Sequence, residues 1–177
     1  MKLDINKLNL KNISDNVYQI YHDQSILKFW TPNILVPFGI DTEYGKKIVR
    51  LELDTTDNNK HLNKHIHLRK VILYIEKLIK DKLNIVDEEF KSIIKKRLNK
   101  NDVIECRLKM FKDRIITNIE YEDKDNHYLK TIYDLEKMST IKAEIEIYGC
   151  WDYRVPNKIE KNKAGLTVFI NKIIVCK

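Results

Sequence analysis

Three groupings of basic and aromatic residues are the part of this sequence best suited to chemistry: Lys28, Phe29 and Trp30; Lys109 and Phe111 with Lys112 and Arg114; and Trp151, Tyr153 and Arg154. Any nucleic-acid base can stack on an aromatic ring while neighbouring cations follow the phosphates, so these are the two ingredients of single-strand binding. Aromatic residues in strands more often pack a core, and Trp30, directly before the bend at Pro32, is expected there. Trp151 and Tyr153 share parity with Ile145 and Ile147, which buries them if alternation is strict and exposes them if Gly149 carries a bulge. Phe111, at the end of the face that carries Arg107 and Lys109, is the best exposed candidate.

Other constellations are weaker. His61, His65 and His67 stand at i, i+4 and i+6, so two of them could face a metal, but no Glu completes an HExxH pattern and no metal is assigned. The pairs Glu144 and Glu146, or Glu52 and Asp54, could hold magnesium if they converged on a cleft, yet alternating acids on a strand are usually its wet face. Nothing matches GxxxxGK[ST], GxGxxG or GxSxG, and no nucleophile is marked. No catalytic residue and no cofactor is expected.

The elements that position these residues follow from hydrophobic period. Val17–Tyr21 and Ile26–Thr31 alternate about a polar His22–Ser25 turn, so they read as a hairpin. Asn33–Phe38 carries Pro37 and is expected at an edge or a bend. Lys47–Asp54 places Val49, Leu51 and Leu53 on one face and Ile48, Arg50 and Glu52 on the other. A helix is expected over His61–Leu83 from the spacing of Leu68, Ile72, Ile75, Ile79 and Leu83, and a shorter helical stretch from Asp87 to Leu98. Alternation returns at Val103–Met110, with Ile104, Cys106, Leu108 and Met110 inward and Glu105, Arg107 and Lys109 outward. Ile115–Tyr121 is expected to pair back on it, and Tyr128–Tyr133 to add a short strand. Two long strands, one through Ala143–Tyr148 and the other over Leu166–Val175, end the chain.

Length and composition bound the rest. With 177 residues and 43% hydrophobic content the chain suits one domain: a loosely tied arm over 1–16 and a domain over 17–177 with a helical insert at about 60–99. Cys106, Cys150 and Cys176 are odd in number and form no CxxC pair, which points to a reducing compartment. No apolar run approaches a membrane span, so a soluble intracellular protein with no membrane partner is expected. The net charge is +7, but Lys outnumbers Arg 27 to 6 and Lys, Ile and Asn fill 69 positions, a bias that an AT-rich genome produces by itself. Its distribution carries more: residues 60–82 sum to +5 and 154–177 to +5, against −5 over 115–153. That segregation favours a polyanion on one face.

Strands, a helix, then strands again on a basic chain is the order of an oligonucleotide-binding (OB) barrel. Two segments carry a further resemblance. One is Phe29–Leu53, with Thr31–Pro32, the run Val36–Ile40, the Tyr44–Gly45 turn and the alternating Lys47–Leu53. The other is Ala143–Val175, where Ile145–Trp151 leads through a basic hairpin to Gly165–Ile173. On these residues the chain resembles the OB-fold single-stranded DNA-binding proteins of nucleocytoplasmic large DNA viruses, which are related to the phage-T7-type protein. The resemblance implies sequence-independent binding during viral replication, repair or recombination in the host cytoplasm or nucleus. It also implies no catalysis, often a homodimer, and replication proteins as further partners. One departure from the phage type is the lack of an acidic tail, since this chain ends Ile173–Lys177 in a basic segment.

The expectation is therefore a mainly β, OB-like barrel with one or two helices between its third and fourth strands, binding single-stranded DNA, or RNA, through Arg50, Arg107, Lys109, Phe111, Lys112, Arg114, Trp151, Tyr153 and Arg154. Two alternatives stand beside it. One is a metal-dependent nucleic-acid-processing enzyme using a carboxylate pair with Lys109 or Lys172. The other is a virion or scaffold protein whose basicity is codon bias.

Overall fold

A computed structural model describes residues 7–54, 61–121, 135–156 and 158–176. Fourteen strands and one α-helix are described: β1 (Leu8–Ser14), β2 (Val17–His22), β3 (Ser25–Trp30), β4 (Ile34–Val36), β5 (Ile40–Glu43), β6 (Lys46–Glu52), α1 (Leu62–Leu83), β7 (Phe90–Lys91), β8 (Ile94–Arg97), β9 (Lys100–Leu108), β10 (Met110–Phe111), β11 (Arg114–Ile115), β12 (Asn118–Tyr121), β13 (Ser139–Asp152) and β14 (Ala164–Cys176). The hydrogen-bonded order β13, β4, β6, β9, β14 and back to β13 closes a five-stranded barrel. The fold is mainly β and OB-like, with α1 inserted between β6 and β7.

The spine is β13. On one side it pairs with β14 along its length, and on the other it meets β4 at Ser139–Ile141, β3 at Glu144–Ile147 and β2 at Gly149–Trp151. Inside the barrel lie Val49, Leu51, Ile104, Cys106, Ile141, Ile145, Ile147, Val168 and Ile170, each at most 2% exposed. The apolar stripe of α1, Leu68, Ile72, Ile75 and Ile79, joins the same core. Each such aliphatic side chain contributes roughly 1.5–3 kcal/mol by leaving water.

The hairpin over His22–Ser25, the face assignment of Val49, Leu51 and Leu53, and the inward Ile104, Cys106 and Leu108 are as the periodicity implies. Cys106 and Cys150 are buried free thiols; burial pushes Cys106 up and Cys150 up to about 12.

Several expectations are corrected. Within the stretch expected to be a loose arm, Leu8–Ser14 forms β1, which pairs antiparallel with β2. β4 lies inside the sheet between β13 and β6, not at an edge, because it stops at Val36 and leaves Pro37 outside the ladder. Asp87–Leu98 is a single 3₁₀ turn followed by β7 and β8, so of the one or two helices expected one forms. Phe90 on β7, Ile93 in the bend that follows and Ile94 on β8 pack into the core there. Ile115–Tyr121 does not pair back on β9: its start closes the small β10–β11 hairpin, and β12 runs parallel to β14. Met110 lies in that hairpin and is 36% exposed. Trp30 is 40% exposed because Leu27 and Phe29 point inward and set the opposite parity. The strand expected at Tyr128–Tyr133 lies outside the described residues.

Candidate nucleic-acid interface

The site is built by an irregularity in β13. Ile147 pairs with Val168 but Gly149 pairs with Thr167, so Tyr148 is an extra residue on one strand. That bulge flips parity. Ile147 and Cys150 both point into the barrel, while Tyr148 and Trp151 lie on its outer side, Cys150 being 1% exposed. Gly149 is required by close approach: a Cβ there would sit 2.3 Å from the Tyr18 carbonyl oxygen on β2. Gly165, opposite Trp151, provides the floor on which the indole lies, since a Cβ would meet the Trp151 ring at 2.8 Å.

The result is an open groove of about 360 Å³ on the outside of the barrel, lined by Lys46, Arg107, Tyr148, Trp151, Tyr153, Thr167 and Phe169 with the backbone of Val17, Gly149 and Cys150. Two aromatic pairs shape it. Tyr148 meets Phe169 edge to face at 5.8 Å, and Trp151 stacks on Tyr153 with centroids 5.8 Å apart and planes 29° apart. From Gly165 to Phe169 the floor runs about 13 Å, four residues at roughly 3.3 Å each. A smaller extension beneath Trp151 and Arg107 reaches Lys91, Lys95 and Glu105.

Charge in the groove is unbalanced. No carboxylate lines the main groove among the described residues, and neither Arg107 nor Lys46 forms an ion pair with another described residue. The Arg107 charge, followed by partial burial, lowers the Lys46 pKa, which is the signature of two like charges held near each other. An anion placed between them relieves that repulsion.

At the groove's edge Lys109 behaves differently. Its ammonium is 3.0 Å from the buried Glu146 carboxylate and 5.9 Å from the centroid of Phe169. Lys28 approaches the same carboxylate at 3.2 Å and Asn171 donates to it at 3.1 Å. Burial raises the Glu146 pKa, but the hydrogen bonds from Lys109, Asn171 and Lys28 outweigh it and hold the group below its ordinary value. Two lysines on one carboxylate leave a net positive edge.

The structure brings together Arg107, Trp151 and Tyr153, with Lys109 beside them. It places Phe111, Lys112 and Arg114 apart, on the exposed β10–β11 hairpin, where Phe111 is 62% exposed and Lys112 lies 5.5 Å from its ring centroid. The two turn residues, Lys112 and Asp113, both have positive φ. Arg50 lies on the outer face of β6 among carboxylates: Asp41 at 2.7 Å, Glu43, and Glu105 at 3.8 Å. Arg154 is turned away from the groove to the end of α1. It donates to the carbonyls of Leu83 at 2.8 Å and Asn84 at 2.7 Å, to both oxygens of Asp152, and to Glu89 at 3.4 Å. Lys46, Tyr148, Thr167 and Phe169 were not singled out from sequence. The outward parity of Tyr148 and the bulge at Gly149 were legible; the register that brings Lys46 and Phe169 beside Arg107 was not.

His65 of the histidine cluster is buried, its Nε2 donating to the Asn33 carbonyl at 3.0 Å, whereas His67 is exposed. Among the described residues no group of three His, Cys, Asp or Glu side chains converges as a metal site, and no helix is long and apolar enough to cross a membrane.

No protein-family model matches the chain, and comparison with curated proteins finds no relative. Among solved structures, the crystal structure of gp2.5, a single-stranded DNA binding protein encoded by bacteriophage T7, matches with a TM-score of 0.50 over 86% of this chain and 87% of that chain, at 8% sequence identity. At that identity the likeness is one of fold.

Proposed function

We propose that this chain binds single-stranded DNA without sequence preference and without catalysis, through the groove of β6, β9, β13 and β14. The observation that carries the reading is the pairing of two uncompensated cations, Lys46 and Arg107, with two partly exposed aromatic pairs on one concave floor. Bases stack on Tyr153, Trp151 and Phe169, and phosphates take the charge of Arg107 and Lys46, with Lys109, Lys91 and Lys95 at the margins. The fold it shares with gp2.5, a single-stranded DNA binding protein, supports the reading. The acids expected of a nuclease are engaged elsewhere: Glu146 on Lys28 and Lys109, and Glu52 on Arg97 and Asn101. Replication, repair or recombination of viral DNA, with a homodimer and replication proteins as partners, is the setting that goes with this activity.

The test is fluorescence anisotropy of a labelled oligothymidylate of about 30 nucleotides against a duplex of equal length, at low and physiological salt with magnesium present. Tight binding that favours the single strand, weakens by orders of magnitude with salt and leaves the probe intact is expected. Equal, weak binding of both probes overturns the reading, and cleavage of the probe moves it to an enzyme.

A further inference from the structure

A second, larger cleft of about 550 Å³ opens between the β3–β4 connection and the first turns of α1. Its lining is of three kinds. Phe29, Pro32, Leu68 and Val71 form an apolar wall; Thr31, Asn33 and Asn63 offer hydrogen-bonding groups; and Lys64 and Lys142 supply charge, with His61 and His67 beside them. Among the described residues no carboxylate lines it. The cleft does not share a residue with the groove. Lys142 and Tyr148 are six residues apart on β13, about 20 Å along the strand.

The end of α1 that faces this cleft adds to its charge. Among the described residues the first turn of α1 contains no acidic residue, so its positive dipole end faces the cleft with no helix carboxylate of that turn beside it. Clefts of roughly 300–1,000 Å³ take small ligands. A ligand for this one has a flat, largely apolar body with polar edges and an anionic end. Lys142 also lies 5.7 Å from the centroid of the half-exposed Trp30 ring. A reporter therefore stands at the rim.

We propose that this cleft binds a phosphorylated nucleotide, with the base against Phe29 and Leu68 and the phosphate between Lys64 and Lys142. The same chemistry is presented by a free nucleotide and by the phosphorylated end of a strand. The site is independent of the groove and stands if the groove reading fails.

The experiment uses the Trp151→Phe protein, in which Trp30 is the remaining tryptophan of two. Thymidine monophosphate is titrated while Trp30 fluorescence is read, with calorimetry as a second readout. A saturable change is expected, and Lys64→Ala combined with Lys142→Ala weakens it by about tenfold or more. Lys64→Ala alone, at an exposed position, gives the same direction in a protein whose fold circular dichroism verifies. Tighter binding of a short 5′-phosphorylated oligothymidylate than of its unphosphorylated counterpart, read at Trp30, assigns the cleft to strand ends; no difference between the two, with the monophosphate still bound, assigns it to free nucleotides. No saturable response, a response untouched by the lysine substitutions, or equal binding of inorganic phosphate overturns the proposal. Arg107→Ala separates the two sites, because it weakens long oligonucleotides and leaves the monophosphate titration where it was.

Discussion

The groove under Trp151 and the junction at the end of α1 are adjacent along the chain and use the same kinds of residue for opposite ends. In the groove, Arg107 faces Lys46 with no carboxylate between them, and the exposed Tyr153 stacks on a half-buried Trp151. At the junction three residues after Trp151, Arg154 is shared among two helix carbonyls and two carboxylates, and hydrogen bonds from it hold Asp152 below the ordinary carboxylate value. A cation beside an aromatic residue reads the same in both places. Its meaning is set by whether a carboxylate is within reach: charge left unpaired in the folded state is available to an anionic partner, whereas charge already paired holds elements together.

The strongest way to break this comparison is to exchange the consequences. Arg154→Ala is expected to cost about 2–4 kcal/mol of stability, because it strands the mostly buried Glu89 and Asp152 and uncovers the last carbonyls of α1. Denaturant melts measure the loss, and DNA affinity below the melting transition should stay at the parent value. Trp151→Ala is next, with a loss of about 1–3 kcal/mol in single-strand affinity from removed stacking. Since the indole lies on Gly165 outside the barrel, melts should move far less than the binding isotherm.

Arg107→Ala sharpens the contrast with Arg154. It should weaken binding by about tenfold, lower the slope of log affinity against log salt by about one, and leave stability nearly unchanged. An Arg107 variant that melts early but binds normally would reverse the assignment of the two regions. The smallest effect is expected at Glu146. Its folded pKa lies below its ordinary value of 4.5, so its contribution to stability is complete above about that pH and is lost as pH falls through the lower folded value. Glu146→Gln should remove that part of the acid dependence, about 1 kcal/mol or less, and by releasing Lys28 and Lys109 raise DNA affinity a few-fold. Melts from neutral to acid pH, with anisotropy at neutral pH, measure both.

Periodicity made much of the barrel legible, because one face of β6, β9, β13 and β14 must be dry and the other wet. It failed where two periods compete. At Asp87–Leu98 the acidic start and scattered apolar residues fit a helix, but Phe90 and Ile94 are needed as strand residues against β14 and β9. Trp151 was decidable only through Gly149, since one extra residue exchanges the two faces. Arg154 and Arg50 could not be sorted from Arg107 in one dimension. Their carboxylate partners lie up to 65 and 55 positions away, at Glu89 and Glu105, and are brought there only by the fold.

The placement of β13 has a consequence for synthesis. The barrel closes only when β13 and β14 seat between β4 and β9, and those two strands, Ser139–Asp152 and Ala164–Cys176, follow β4, β6 and β9 in sequence. A nascent chain that has already made β4, β6, α1 and β9 therefore holds open edges and an uncovered apolar interior until β13 and β14 have also been made. Closure waits for these two strands, and the interval before it is when the chain is most exposed to aggregation.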